Sequence, residues 1–76
     1  MQKRRASNGT ALDELDNYQL AQAIDRYVRG EIARAMAKRR YIDRITVERI
    51  AEEFSYTDRH TKRILARVKE QLLRRL

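Results

Sequence analysis

The stretch TVERIAEEFSYTDRHTKRILAR, residues 46–67, predicts two helices separated by a tight turn. Thr46 is a suitable N-cap because its hydroxyl can accept a hydrogen bond from a free N–H group in the first turn. Ile50 and Phe54 recur four residues apart, which gives the first of the two helices an apolar face. Thr57 is a second N-cap candidate, so we expect the next helix to begin there.

The second helix of this stretch combines an apolar stripe with a strongly basic outer surface. The inner stripe comprises Thr61, Ile64, Leu65 and Val68. The residues left facing outward are Arg59, His60, Lys62, Arg63 and Arg67. Two short helices with such a surface are typical of a helix-turn-helix, in which the second helix enters the major groove of DNA.

The composition agrees with a small nucleic-acid-binding domain. The chain has 76 residues, a formal net charge of +7 and a pI near 10.4. A chain of this length forms one domain with a small core. A basic balance favours a polyanionic partner, and double-stranded DNA is the partner we expect. The predicted fold class is all-α, a small helical bundle of three to four helices containing the helix-turn-helix.

Several functions are disfavoured by what the sequence lacks. There is no Cys, and His60 is the single His, so thiolate chemistry and a Cys or His metal cluster are excluded. We expect no enzymatic activity, no cofactor and no bound metal. No apolar run approaches the ~20 residues needed to cross a bilayer, and no hydrophobic segment follows the basic N-terminus. We therefore expect a cytoplasmic protein without a membrane partner.

The chain divides into a short arm and one domain. Residues 1–9 are basic, small and polar, which predicts a disordered arm, either a solvated tail or a source of extra phosphate contacts. Residues 10–76 form the domain, with Thr10 as first N-cap and Asp13 three residues later. The predicted helices span about 11–29, 31–41, 46–54 and 57–75. On the second of these, we expect Ile32, Ala35, Met36 and the stem of Arg39 to face the core. Gly30 either ends or bends the first helix, and we expect an end.

The two ends of the predicted domain suggest protein contacts. The first helix is the one acidic part of the chain, so it is expected to cover the core or meet a protein rather than phosphate. The C-terminal end is rich in leucine, and it either folds back on the first helix or packs on a second copy, forming a homodimer. The leucines on which the homodimer prediction depends are Leu65, Leu72, Leu73 and Leu76.

The candidate site lies at the beginning of the last helix. Arg59 and Arg63 could each donate two hydrogen bonds to guanine, while Asp58 could accept from cytosine or only cap the helix. The long side chains of Lys62 and Arg67 suit phosphate contacts better than base contacts. His60 is expected either to contact phosphate or to be simply exposed. The candidate DNA-binding residues are Arg40, Thr46, Thr57, Asp58, Arg59, His60, Lys62, Arg63 and Arg67.

The segment RYIDRITVERIAEEFSYT, residues 40–57, resembles region 4 of the bacterial sigma factors. It is still more similar to the small sigma-like regulators of bacteriophages and integrative elements. The matching residues are Ile45, Thr46, Glu48, Arg49, Ile50 and Ala51, and weaker similarity extends over residues 35–72. Arg44 stands where this family has a turn glycine, and Thr61 stands where it usually has an aliphatic residue. Ser55 stands where glycine is common in other helix-turn-helix proteins, whereas sigma-type sequences tolerate polar residues at this turn.

The resemblance implies binding to promoter or operator DNA and contact with RNA polymerase. Two other functions stay open. One is a protein–protein adaptor that docks on RNA polymerase or another mobile-element protein through the acidic first helix and the leucine-rich C-terminus. The other is a DNA-packaging or recombination accessory protein that uses the same DNA-binding helix.

Overall fold

Four helices make up most of the described chain. The computed structural model describes residues 14–75, and this part contains helices and connections but no strand. The helices are α1 (Asn17–Tyr27), α2 (Glu31–Tyr41), α3 (Val47–Phe54) and α4 (Asp58–Arg75). The predicted all-α small bundle is confirmed.

Helix α1 is shorter than the predicted helix 11–29. Within the described residues it spans Asn17–Tyr27. It begins at Asn17 because Asp16 forms a capping box with Gln19. The Gln19 N–H donates to Asp16 Oδ1 at 2.8 Å, and the Asp16 N–H donates to Gln19 Oε1 at 3.1 Å. These bonds satisfy backbone donors and stabilise a helix start at this point. The predicted cap at Thr10 and Asp13 lies outside the described residues, as does the arm.

Gly30 separates α1 from α2 rather than bending one long helix. It has φ 92° and is the N-cap of α2, a conformation that side chains rarely adopt. The Arg34 guanidinium donates to the Val28 carbonyl at 3.0 Å, which satisfies a carbonyl group at the end of α1. Helix α2 has the bounds predicted for it, 31–41.

The two threonine caps predicted from the sequence are confirmed. The Arg49 N–H donates to Thr46 Oγ1 at 3.2 Å, and the His60 N–H donates to Thr57 Oγ1 at 3.1 Å. Because an N-cap has an extended backbone, α3 and α4 begin one residue after these threonines. This accounts for the small difference from the predicted ranges 46–54 and 57–75.

The larger of two hydrophobic clusters joins α1, α2 and the C-terminal half of α4. Its buried members are Leu20, Ala23, Ile24, Val28, Ala37, Val68 and Leu72. Leu72 is completely buried, so the C-terminal part of α4 folds back on α1, one of the two alternatives left open by the sequence. Leu65 is buried too, Leu73 is half-buried and Leu76 lies outside the described residues. The homodimer stays a prediction. Two of the four leucines on which it depends, Leu65 and Leu72, are buried in the core of the chain itself.

The smaller cluster attaches α3 to α2 and to the first half of α4. Its buried members are Met36, Ile50 and Leu65, and Ile64 contacts both clusters. Thr61 is fully buried on the inner stripe, as predicted. Its Oγ1 has no hydrogen-bond partner among residues 14–75. A buried hydroxyl in that state costs free energy, so Thr61 is a weak point of the packing.

Helix α2 turns Met36 to the core, as predicted, but not Ile32. Ile32 was expected to point inward but is 43% exposed, whereas Ala37 is completely buried. The inward side follows Ala33, Met36 and Ala37, and Ile32 lies about 100° around the helix from Ala33. The small side chain of Ala37 allows α1 and α4 to pack closely against this side.

Candidate nucleic-acid interface

The turn between α3 and α4 is closed by backbone hydrogen bonds. Ser55 ends α3 in the left-handed conformation, with φ 60°. The Tyr56 N–H then donates to the Ala51 carbonyl at 2.9 Å, which satisfies a carbonyl at the helix end. Thr57 caps the next helix. The turn therefore has three residues, each with a defined role, and it sets the direction in which α4 leaves α3.

Every predicted DNA-contacting residue at the start of α4 is exposed. These residues are Thr57, Asp58, Arg59, His60, Lys62, Arg63 and Arg67. Lys62 and Arg63 follow Arg59 by three and four residues, so both lie next to Arg59 on the helix surface. None of the three salt bridges among residues 14–75 involves them. The cationic groups are therefore available to an anionic partner.

Helices α3 and α4 have opposite charge. Helix α4 carries seven basic and two acidic residues, a net charge of +5. Helix α3 carries three acidic residues and one basic residue, a net charge of −2. The carboxylates of α3 are Glu48, Glu52 and Glu53. A polyanion is therefore attracted to α4 and repelled by α3, which gives the helix pair a preferred orientation on such a partner.

Arg40 and Thr46 have local structural contacts outside the α4 face. The Arg40 guanidinium donates to the Ile45 carbonyl at 3.1 Å, and it thereby ties the end of α2 to the connection that follows. The hydroxyl of Thr46 is occupied by its capping bond. Tyr41 is half-buried next to this connection, and burial raises the pKa of its phenol. Arg40 and Thr46, both predicted to contact DNA, thus lie at the α2–α3 connection rather than on the exposed face of α4.

Arg39 joins α2 to α3 through two carboxylates, a contact absent from our sequence predictions. Its Nε donates to Glu53 Oε1 at 2.9 Å, a second nitrogen donates to Glu53 Oε2, and Nη1 donates to Asp43 Oδ2 at 2.9 Å. The hydrogen bonds to Glu53 and then to Asp43 raise the pKa of Arg39. The hydrogen bonds from Arg39 lower the pKa of Glu53 below 4.5. The network orients α3, and so the turn, against α2.

Of the two ion pairs that Arg39 forms, only the one with Asp43 could be predicted from the sequence. Arg39 and Asp43 are four residues apart, which is a spacing that allows a side-chain pair near a helix end. Glu53 is 14 residues from Arg39 in the chain, so no local spacing indicated that the two would pair. Our sequence prediction instead turned the stem of Arg39 toward the core.

A groove lies beside α4, where residues from the α1–α2 corner meet it. It has a volume of about 260 Å³ and is lined by Arg29, Ile32, Ala33, Tyr56, His60, Arg63, Ile64, Arg67, Val68 and Gln71. The rings of Tyr56 and His60 form one wall, with centroids 4.8 Å apart and an interplanar angle of 33°. Sequence reasoning did not connect Arg29 or Ile32 with α4, because only tertiary packing brings them together.

Metal binding and membrane crossing have no support within residues 14–75. This part of the chain contains no group of three or more His, Cys, Asp or Glu side chains placed to hold a metal ion. None of its helices is both long and apolar enough to pass through a bilayer.

Comparison of the chain with protein-family models, with curated proteins and with solved structures gave no match.

Proposed function

We propose that this protein binds double-stranded DNA in a sequence-specific manner, with the N-terminal half of α4 in the major groove. Helices α3 and α4 act as a helix-turn-helix in this proposal. The observation that carries it is the row of exposed basic side chains on α4, outside every salt bridge in the described chain, next to an acidic α3. Unpaired cations on one helix face suit a polyanion that offers both phosphates and base edges.

The spacing of the arginines supports base recognition at the start of α4. Arg59 and Arg63 are four residues apart, which places them about 6 Å apart along the helix axis. Each can form two hydrogen bonds with a guanine, and such a pair contributes about 1–3 kcal/mol of discrimination. Lys62 and Arg67 suit phosphate contacts at the edge of the same face. Asp58 lies in the first turn, where its carboxylate also stabilises the helix dipole.

The biological role that fits best is transcription regulation of the sigma region 4 type, through promoter or operator DNA. This part of the proposal depends on the resemblance of residues 40–57. The positive φ of Arg44 supports it, since this is the position where that family has its turn glycine. Ser55 also has a positive φ, at the turn position where other helix-turn-helix proteins commonly have glycine. A DNA-packaging or recombination accessory protein would use the same interface.

The proposal is tested by selecting binding sites from random duplex DNA and measuring affinity by fluorescence anisotropy. Arg63→Ala should lose about 1–3 kcal/mol of preference for the selected site over random DNA. Arg74→Ala removes the same charge from an exposed position near the C-terminal end of α4 and should keep that preference. Absence of any enriched sequence at moderate salt would contradict sequence-specific binding.

The adaptor function predicts a different result. Its proposed leucine-rich contact is reduced, because Leu72 is buried within the chain and Leu73 is half-buried. If RNA polymerase co-purified with the double variant Arg59→Ala, Arg63→Ala as well as with the unmodified chain, polymerase binding would be independent of the DNA face. That outcome would favour the adaptor over the DNA-binding protein.

A further inference from the structure

The groove beside α4 has an apolar floor. The floor comprises Ile32, Ala33, Ile64 and Val68. Ile32 and Tyr18 are the two exposed large hydrophobic residues of the described chain, at 43% and 71% exposure. The Tyr18 hydroxyl accepts a hydrogen bond from Gln22 at 3.0 Å, so its exposed end is polar. Ile32 has no polar atom in its side chain, and it lines the groove together with the apolar side chains of Ala33, Ile64 and Val68.

The rim of the same groove is positively charged. Arg29, Arg63 and Arg67 line it, together with His60, and none of its lining residues is acidic. The three salt bridges found among residues 14–75 leave all three arginines unpaired. The groove thus combines an uncompensated basic rim with a hydrophobic floor. Its ligand should carry negative charge on both sides of an apolar group.

We propose that this groove binds an acidic protein segment that places one aliphatic side chain on Ile32. Carboxylates on either side of that side chain would pair with the arginines, which bind them with two parallel hydrogen bonds. A DNA backbone could also contact the rim, but its phosphates and sugars would leave the apolar floor uncovered. The floor is therefore the feature that favours a peptide over nucleic acid.

This groove shares Arg63 and Arg67 with the proposed DNA-binding face. An acidic segment in the groove would therefore compete with DNA for the same cations. The competition depends on the proposed function, whereas binding of the peptide does not. A protein that carries such a segment would act as an inhibitor of DNA binding.

The test measures binding of a fluorescein-labelled peptide to the full chain by fluorescence anisotropy. In the peptide, leucine alternates with pairs of glutamate. Ile32→Ala should weaken binding about fivefold, because part of an isoleucine side chain is lost from the contact. Ile32→Leu should restore most of the affinity. Tyr18→Ala is the matched control, since it removes the other exposed large hydrophobic residue, and it should leave binding unchanged.

A second pair of variants tests the rim. Arg29→Gln should weaken the same peptide about threefold and reduce the dependence of its binding on salt. Arg74→Gln removes an equal charge at an exposed position outside the groove and should have a smaller effect. Circular dichroism establishes that each variant is folded. Competition is then measured by adding unlabelled peptide to the chain bound to labelled DNA, where displacement is expected.

Two results would overturn the proposal. A peptide with serine in place of leucine that bound equally well would show that the groove recognises charge alone. A loss of DNA affinity in Ile32→Ala as large as its loss of peptide affinity would assign the floor to the nucleic-acid contact. If the chain bound no DNA at all, the peptide titrations would still decide whether the groove is a peptide site.

Discussion

The two halves of α4 differ in the hydrophobic cluster that holds them against the other helices. The C-terminal half contributes Val68 and Leu72 to the larger cluster, which has seven buried residues, six of them in three helices and Val28 just after α1. The N-terminal half contributes Leu65 to the smaller cluster, which has only three. Both halves carry exposed basic residues, which are Arg59, Lys62 and Arg63 in the N-terminal half and Arg67, Lys69, Arg74 and Arg75 in the C-terminal half. The N-terminal half, which holds the proposed base-contacting arginines, thus belongs to the smaller cluster, and its position depends on the packing of the C-terminal half.

Helix α3 and its two connections differ in the same way from α1 and the C-terminal half of α4, because fewer hydrophobic contacts hold them. Arg44 and Ser55 are the residues other than glycine that have positive φ within residues 14–75, and they flank this helix on both sides. The helix is also held by the smaller cluster. The Arg39 network adds polar contacts where hydrophobic contacts are few. We therefore expect α3 and its turn to open locally more readily than α1 and the C-terminal half of α4.

The largest expected effect comes from the larger cluster. Leu72→Ala should lower the free energy of unfolding by about 3 kcal/mol, because it leaves a cavity at a completely buried position. Leu73→Ala, at the half-buried neighbouring position, should cost clearly less. Urea denaturation followed by circular dichroism measures both. Equal losses would contradict the assignment of Leu72 rather than Leu73 to the core.

A change of opposite sign is expected at Thr61. Thr61→Val replaces a buried hydroxyl without a partner by a methyl group of similar shape, so it should stabilise the protein by roughly 1 kcal/mol. Thr61→Ser keeps the hydroxyl and removes the methyl group, and it should destabilise. Thermal denaturation of the two variants distinguishes these outcomes. A loss of stability in Thr61→Val would show that the hydroxyl has a partner in solution.

Relief of backbone strain should have a somewhat smaller effect at the α3–α4 turn. Ser55→Gly should stabilise by up to about 1 kcal/mol, because glycine adopts φ 60° without the steric cost of a Cβ atom. Ser55→Ala keeps the Cβ and serves as the control, so it should give no such gain. Both are compared by thermal denaturation. Equal melting temperatures for the two variants would argue against strain at this residue.

The smallest effect is expected from the Arg39 network, which is partly exposed to solvent. Its contribution is complete above the ordinary carboxyl pKa of 4.5 and is lost as pH falls through the lower pKa that Glu53 has in the folded state. Glu53→Gln should therefore flatten the loss of stability with acid. Glu52→Gln is the control, since Glu52 forms no salt bridge among residues 14–75. Identical acid profiles for the two variants would contradict a role for the pair.

Local chemistry accounts for the features that were predictable from the sequence. Thr46 and Thr57 cap their helices because the necessary donor is three residues away in the chain. The same kind of signal was present for α1, where Asp16 and Gln19 have the spacing of a capping box, but our prediction placed the helix start further upstream. On α2 the periodicity was ambiguous, because alanine occurs on several sides, and Ile32 was consequently assigned to the wrong side.

The sequence by itself determined the helical class, the N-caps at Thr46 and Thr57, the inner stripe of α4 and the basic outer surface of that helix. These properties depend on residues within one or two turns of each other, and the spacing of side chains on a helix is regular. Tertiary structure alone decided that Arg39 pairs with Glu53, that Leu72 is used within the chain, and that Arg29 and Ile32 meet α4 in a groove. Such contacts join residues distant in the chain, and their formation depends on how whole helices pack.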